Sequence, residues 1–261
     1  MFKTISRHTL AIALTVMVFC TMKVSAQEQF SVGAKVGANL NQFTQPGTTI
    51  GFSVGAYATY RVLPYISVKV EPQYAQTGGA RQSYYIDYST LGGNVSAVEF
   101  INPSVIMHNF EVPLLVELTL PEFVDQKVIP KLILGGSYAL MAKATEMHTR
   151  RFIFNDGSSG GPATPSVDAG YQHEDVTDNY TRNQFSAIVG LGVMFKTDKR
   201  DFQFDVRYRQ GFTQVNKIQF PDAIQKSSGS SSPSFPVANG VGGNLYTSTL
   251  SINFSMTIFN F

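Results

Sequence analysis

The sequence predicts an all-β protein: an eight-stranded antiparallel up-and-down transmembrane β-barrel with long external loops. Three observations carry this: two-residue alternation in eight segments, connections that alternate short and long, and an N-terminal export pattern. The strands come first. From Phe30 the even positions are Phe30, Val32, Ala34, Val36, Ala38 and Leu40, while the odd ones are Ser31, Gly33, Lys35, Gly37, Asn39 and Asn41. Successive strand side chains point to opposite faces, so one face is apolar and the other small or polar. The same phase recurs from Phe52 to Tyr60, from Ile66 to Tyr74 and from Phe110 to Leu118. A fifth segment, Lys131 to Ala144, sends Leu132, Leu134, Tyr138 and Leu140 outward and is less regular inside. A sixth, from Phe185 to Phe195, reverses parity; a seventh runs from Phe202 to Arg209 and an eighth from Tyr246 to Ile258. Each has about the 9–11 residues that a tilted membrane-crossing strand needs.

Alternation also suits a soluble sandwich or a lipocalin-like barrel, and one strand alone does not tell which face looks out. The connections do. They run over 42–49, 61–65, 77–106, 120–130, 145–183, 196–201 and 211–243, and alternate short and long from the second onward. Short turns on the side of the termini and long loops on the other are the pattern of bacterial outer-membrane barrels. Under that threading Phe52, Tyr74, Phe110, Phe185, Tyr208 and Tyr246 form an outer aromatic rim, and Tyr60, Phe195 and Phe202 an inner one. Near the C-terminus the phase slips: Phe259 and Phe261 share parity with Ser255 and Thr257, so either the last residues leave the barrel or a bulge resets the pattern.

At the N-terminus, Lys3, Arg7 and His8 precede an apolar run from Leu10 to Phe19 and a small-residue Val24-Ser25-Ala26 site. This reads as a signal peptide over 1–26, too short for a spanning helix, leaving a barrel domain over 27–261. Cys20, the sole cysteine, falls in the removed segment; Phe19 before it disfavours lipid modification, and the mature chain has no thiol chemistry. Composition agrees: 15% charged residues and a mean hydropathy of −0.01, with no long apolar run in the mature chain, mean dispersed hydrophobicity. A net charge of +2 argues against a nucleic-acid partner.

Four stretches then carry a family resemblance: GAKVGANLNQF at 33–43, VEPQYAQTGGA at 70–80, FEVPLLVEL at 110–118 and LILGGSYAL at 132–140. The chain resembles the PorT-type outer-membrane β-barrel proteins of Bacteroidetes across essentially its whole mature length. That resemblance implies the fold and a bacterial outer-membrane location. Because the founding member is implicated in protein secretion, it also implies an accessory role in secretion or transport across the envelope. The motifs are strand and turn patterns, and no residue-level activity transfers.

The inward face is expected to gather Lys35, Lys69, Glu71, Glu111, Glu117, Lys143, Asp205, Arg207 and Arg209. An eight-stranded barrel is just wide enough to be filled by its own side chains, so these are expected to pair and plug it as a structural charge network rather than line a pore. For catalysis, His108, His148 and His173 with Glu146, Asp168, Glu174 and Asp175 are the candidates, for lipid acyl transfer or hydrolysis at the outer rim. None has a diagnostic spacing, and no catalytic, cofactor or metal site is expected. Asn155-Asp156-Gly157 lacks the acidic ladder of a calcium loop, and the tracts 155–165 and 226–236 read as flexible loop tips. The functional expectation is a non-enzymatic barrel whose partners are outer-membrane lipid and an envelope protein met through external loops or periplasmic turns. The alternatives are a barrel enzyme and a soluble β-sandwich binding protein.

Overall fold

The computed structural model of the chain describes residues 29–45, 47–81, 83–87, 95–124, 126–154, 164–197, 200–217 and 244–261. The export segment 1–26 with Cys20, the Asn155–Gly157 turn and the tract 226–236 lie outside the described residues. The strands are β1 (Phe30–Phe43), β2 (Thr48–Leu63), β3 (Ile66–Val70), β4 (Gln73–Ala80), β5 (Tyr84–Asp87) and β6 (Val95–Thr119). They continue with β7 (Val128–Phe154), β8 (Thr164–Asp175), β9 (Asn183–Phe195), β10 (Phe202–Gly211) and β11 (Thr247–Asn260).

Eight of these units close a ring. β1 pairs antiparallel with β2, β2 with β3 and β4, these with β6, β6 with β7, β7 with β9, β9 with β10, β10 with β11, and β11 returns to β1. β3 and β4 form one barrel strand, because Val70 faces Leu114 before Pro72 and Gln73 faces Glu111 after it without a register shift. Pro72 interrupts the ladder only by lacking an N–H; its carbonyl still accepts from Ala56 N at 3.1 Å.

The burial pattern is inside-out. In β1, Lys35, Asn39 and Asn41 are buried, while Val36 is 51% and Leu40 46% exposed. The same holds around the ring: Phe52, Val54, Phe110, Leu114, Leu191, Phe204 and Ile252 face outward, and Ser53, Glu111, Glu117, Asp205 and Asn253 face inward. A water-soluble sandwich or lipocalin-like barrel would bury the apolar face; an apolar belt on this scale needs lipid. Aromatic contacts mark its borders. Tyr74 lies 5.6 Å from Phe52 and 6.5 Å from Phe110, and Tyr138 lies 5.2 Å from Phe185. At the opposite end Phe30 meets Phe261 at 6.2 Å and Phe202 meets Phe254 at 6.0 Å.

Two bulges reset the phase. Val32 faces Phe259 but Gly33 faces Thr257, so Ile258 is the extra residue and Phe259 and Phe261 rejoin the outward face. Between these alternatives for the C-terminus, the bulge is the one found. In β7, Asn109 faces Met141 but His108 faces Lys143, making Ala142 extra. That shift overturns one inward assignment: Lys143 is exposed and approaches Asp175 at 3.9 Å outside the lumen.

The long connections 77–106 and 145–183 are largely strand rather than loop. β6 and β7 continue past the ring as one ribbon, joined at its edges by β5, which pairs Tyr84–Asp87 with Ala97–Phe100, and by β8, which pairs with β7. The continuation is kinked at Asn102-Pro103, where the register shifts between Ile101 and Ser104 and Asn102 takes φ 49°. Asn is the side chain, after Gly, that best tolerates this left-handed region.

Candidate functional site

The lumen is built from side chains that strand geometry drives inward and that would be costly to bury singly. At the centre sits Glu71, fully buried. It receives Lys35 Nζ at 2.7 Å, Lys69 Nζ at 3.1 Å and Arg207 through Nη1 at 2.6 Å and Nη2 at 3.0 Å. Arg207 also contacts Asp205 at 2.6 Å, and Asp205 accepts from Asn253 Nδ2 at 2.7 Å. Nearer the chain termini, Glu117 takes Lys69 at 3.3 Å, Lys131 at 2.5 Å and Gln203 Nε2 at 3.1 Å. Lys69 also lies 4.3 Å above the Tyr57 ring, whose hydroxyl is 2.8 Å from Thr257 Oγ1. On the other side of the centre Arg209 pairs with Glu111, which also accepts from Gln73 at 3.1 Å.

Lys35, Lys69, Glu71, Glu117, Asp205 and Arg207 are therefore joined across the lumen, with Glu111 and Arg209 paired beside them, on four of the eight barrel strands. Lys131 belongs to the network and was not singled out in the sequence, because its strand's inner face is otherwise Ile133, Gly135, Ser137 and Ala139 and does not look charged. Ile133 instead packs with Leu115 and Ile188 as a small apolar patch inside. Two voids in the mid-lumen measure about 20 and 10 Å³. Each has room for about one water.

Beyond the Arg209–Glu111 layer the outer mouth changes character. Phe43, Val105, Met107, Met141, Ala144, Val176, Tyr180, Val215 and Leu245 form a buried apolar cluster, with the Phe43 and Tyr180 rings stacked 6.5 Å apart. Short segments folded over the rim supply part of it: Thr181 N donates to Val215 O at 2.7 Å, and Val215 N to Leu245 O at 2.8 Å. Burial in this cluster pushes the Tyr180 phenol up to about 12.

Above the cap lies a second buried polar group. Arg81 Nη1 reaches Glu146 Oε2 at 3.3 Å, and His148 Nδ1 is 3.2 Å from Glu146 Oε1. His148 accepts from Arg150 Nε at 3.1 Å and stands edge-on to Phe100 at 4.9 Å. Burial lowers its affinity for a proton, against the pull of Glu146. The other candidate histidines are elsewhere: His108 Nδ1 bonds the Tyr74 hydroxyl at 2.5 Å on the outer face, and His173 stands edge-on to Tyr171 at 5.3 Å. Glu174 is held by Arg150 at 2.7 Å, and Asp175 accepts from Thr177. The Asp168 side chain lies outside the described residues. The structure thus brings Glu146 and His148 together, with Glu174 linked to them through Arg150, and places His108 and His173 elsewhere; among the described residues no three His, Cys, Asp or Glu side chains are grouped to hold a metal.

A closed antiparallel ring that is ionic within and apolar without is an integral membrane barrel. The chain belongs to the outer membrane protein beta-barrel domain family, whose pattern matches residues 25–217, and it is a protein of the bacterial outer membrane. No curated protein sequence matches it. Among solved structures it is similar to Neisserial surface protein A at 14% identity and TM-score 0.42, covering 90% of this chain and 100% of that one. It is also similar to the attachment invasion locus protein of Yersinia pestis at 12% identity and TM-score 0.37, covering 89% and 100%. A third is the outer membrane protease OmpT of Escherichia coli, at 10% identity and TM-score 0.34, covering 89% and 95%.

Proposed function

We propose that this protein is a non-enzymatic, non-conducting outer-membrane barrel that acts by presenting surfaces, chiefly its external β-ribbon, to an envelope or surface partner. The observation that carries this reading is the filled lumen. Glu71 collects three cations from three strands, and an apolar cap lies beyond them, so a solute path would have to break buried ion pairs. By contrast the ribbon of β5 to β8 stands clear of the ring and offers backbone edges and charged side chains such as Arg151 and Glu99. The PorT-type resemblance adds the role of an accessory barrel in a secretion or transport machine. Export follows from a signal peptide over 1–26, with the mature barrel over 27–261 and the ribbon outside the cell.

The experiment is crosslinking on intact cells followed by copurification, paired with planar-bilayer recordings of the purified mature protein. An envelope partner that is lost when 155–163 is replaced by a short turn, together with absent single-channel steps, supports the reading. Reproducible conductance steps would refute it. For orientation, a cysteine at Gly160 or Ser230 should label on intact cells and one at Asp198 only after lysis.

A further inference from the structure

Beyond the apolar cap, β8 is an edge strand: among the described residues it pairs with β7 and with no other strand. Its ladder is also interrupted. Thr149 faces Tyr171 but Arg151 faces Asp168, so Arg150 on one strand lies opposite Ala169 and Gly170 on the other, and Gly170 takes φ 70°. An irregularity of this kind leaves backbone groups unpaired, and side chains hold the strands together there. Arg150 Nη2 reaches Glu174 Oε2 of β8 at 2.7 Å, and its Nε donates to His148 Nε2 at 3.1 Å. Its guanidinium carbon lies 5.5 Å from the Phe100 ring centroid.

The bond from Arg150 to His148 requires a bare ring nitrogen. Guanidinium nitrogens only donate, so His148 Nε2 must accept, which leaves the proton of the neutral ring on Nδ1, 3.2 Å from Glu146 Oε1. A second proton would put an N–H on Nε2 too, and two donors and two like charges would then face each other at hydrogen-bond distance. The surrounding charges balance while the ring is neutral. Among the described residues Arg81, just past β4, and Arg150 of β7 stand against Glu146 of β7 and Glu174 of β8. β6 presents Phe100 and β8 also Gln172, both uncharged, and Tyr180 beneath keeps its phenol proton. His173, Asp175, Lys143 and the Glu99–Arg151 pair lie on the other face of the ribbon. Burial holds the affinity of His148 for a proton below the ordinary 6.5 against the pull of Glu146, and Arg150 acts in the same sense as burial.

We infer that Arg150 and His148 form a proton-sensitive latch, which fastens β8 across the break in its ladder at neutral pH and lets it go in mild acid. A protonated His148 turns Arg150 away, and with Arg150 goes the ion pair that ties Glu174 of β8 to β7. The biological role rests on the reading of the ribbon as a partner surface, and it adds a control: the ribbon offers a different shape in neutral and in acidic surroundings.

The test measures hydrogen-exchange protection of the β8 amides from Tyr171 to Asp175 at pH 7.5 and 5.5, corrected for intrinsic rates, in the mature protein folded in an uncharged detergent. Opening returns His148 to its ordinary 6.5, so protection should fall on acidification, by up to about tenfold. His148→Gln keeps an oxygen that accepts from Arg150 at either pH, and its β8 should stay protected at both. Arg150→Gln should lower β8 protection at pH 7.5 and remove the response to acid. His173→Gln, which changes the other histidine of β7 and β8, should keep the response. A change of less than about twofold in the unaltered protein, a fall that persists in His148→Gln or Arg150→Gln, or one that vanishes in His173→Gln would each overturn the latch. Protection in β1 and β11 should stay level; an equal fall there would mean that the whole barrel yields to acid and would overturn it as well. No partner takes part in this measurement, so flat β8 protection refutes the latch alone, and failure to capture an envelope partner refutes the surface reading alone.

Discussion

Replacing Glu71 by Gln keeps the shape of the central side chain and removes its charge, and the network around it sets the size of the effect. Lys69 retains Glu117 at 3.3 Å and Arg207 retains Asp205 at 2.6 Å. Lys35, buried, has Glu71 as its one ion-pair partner among the described residues, at 2.7 Å. The change therefore strands one cation rather than three. Breaking one buried pair costs about 3–5 kcal/mol, or roughly two to four powers of ten in the folded-to-unfolded ratio at ~1.4 kcal/mol per decade. The chain has no Trp, so urea unfolding in phospholipid vesicles is best followed by the mobility of unboiled protein on gels and by circular dichroism. Adding Lys35→Met to Glu71→Gln should restore more than half of the loss, because the stranded charge goes with it. A double variant no more stable than Glu71→Gln alone would refute this reasoning, as would a Glu71→Gln protein within ~0.5 kcal/mol of the unaltered one, since coupled residues must show non-additivity.

Three further outcomes are expected. Val54→Arg should cost ~2–4 kcal/mol near the bilayer midplane while Ser67→Thr is tolerated, and spin labels at Val54 and Val68 should favour oxygen over a water-soluble relaxation agent; labels inaccessible to both would mean protein-packed valines. Gly33→Val should destabilise by ~1–3 kcal/mol, because a Cβ there would meet the Met256 carbonyl at 2.2 Å and the Tyr57 ring at 2.5 Å; unchanged urea resistance would count against that close approach. For pH, burial holds the His148 pKa below its unfolded value of 6.5. The stability it gives the external ribbon is then present above 6.5 and declines as pH falls through 6.5 towards the lowered folded value. Protection factors of amides in β6 and β7 beyond Asn102 and Thr145, corrected for the intrinsic pH dependence of exchange, should fall between pH 7.5 and 5, His148→Gln should abolish the change, and pH-independent protection in the unaltered protein would contradict it.

How far the sequence could be read depended on which phase each strand kept. The eight ring strands were legible because lipid imposes an apolar residue at every second position, as in Val36, Ala38 and Leu40, and the lumen imposes the opposite at Lys35 and Asn39. Once β6 and β7 leave the membrane nothing enforces that contrast, and strand continuing through 95–103 and 145–154 reads as loop. Lys143 was assigned inward since a one-residue bulge at Ala142 leaves no trace in composition. Of the Arg81–Glu146–His148 group, Glu146 and His148 lie two residues apart and were legible as candidates, but Arg81 was not, because it reaches Glu146 across 65 residues of sequence.

The placement of the ion network also bears on how such a chain reaches its membrane. Lys35 and Lys69 lie on the first and third barrel strands, near Glu71, but Arg207 comes from the seventh, so the Arg207 contacts on Glu71 form only when early and late parts of the chain are brought together. Until then each charge is hydrated, and an unclosed sheet in the aqueous periplasm keeps one wettable face rather than two greasy ones. Closure between β1 and β11 then dehydrates all of these groups at once, at a moment when every partner is within reach. A half-rolled sheet would bury Glu71 without Arg207, or Arg207 without Glu71, and be disfavoured by several kcal/mol. The charges that seal the finished barrel thus also make assembly cooperative, keeping the chain soluble in transit and penalising partly closed forms.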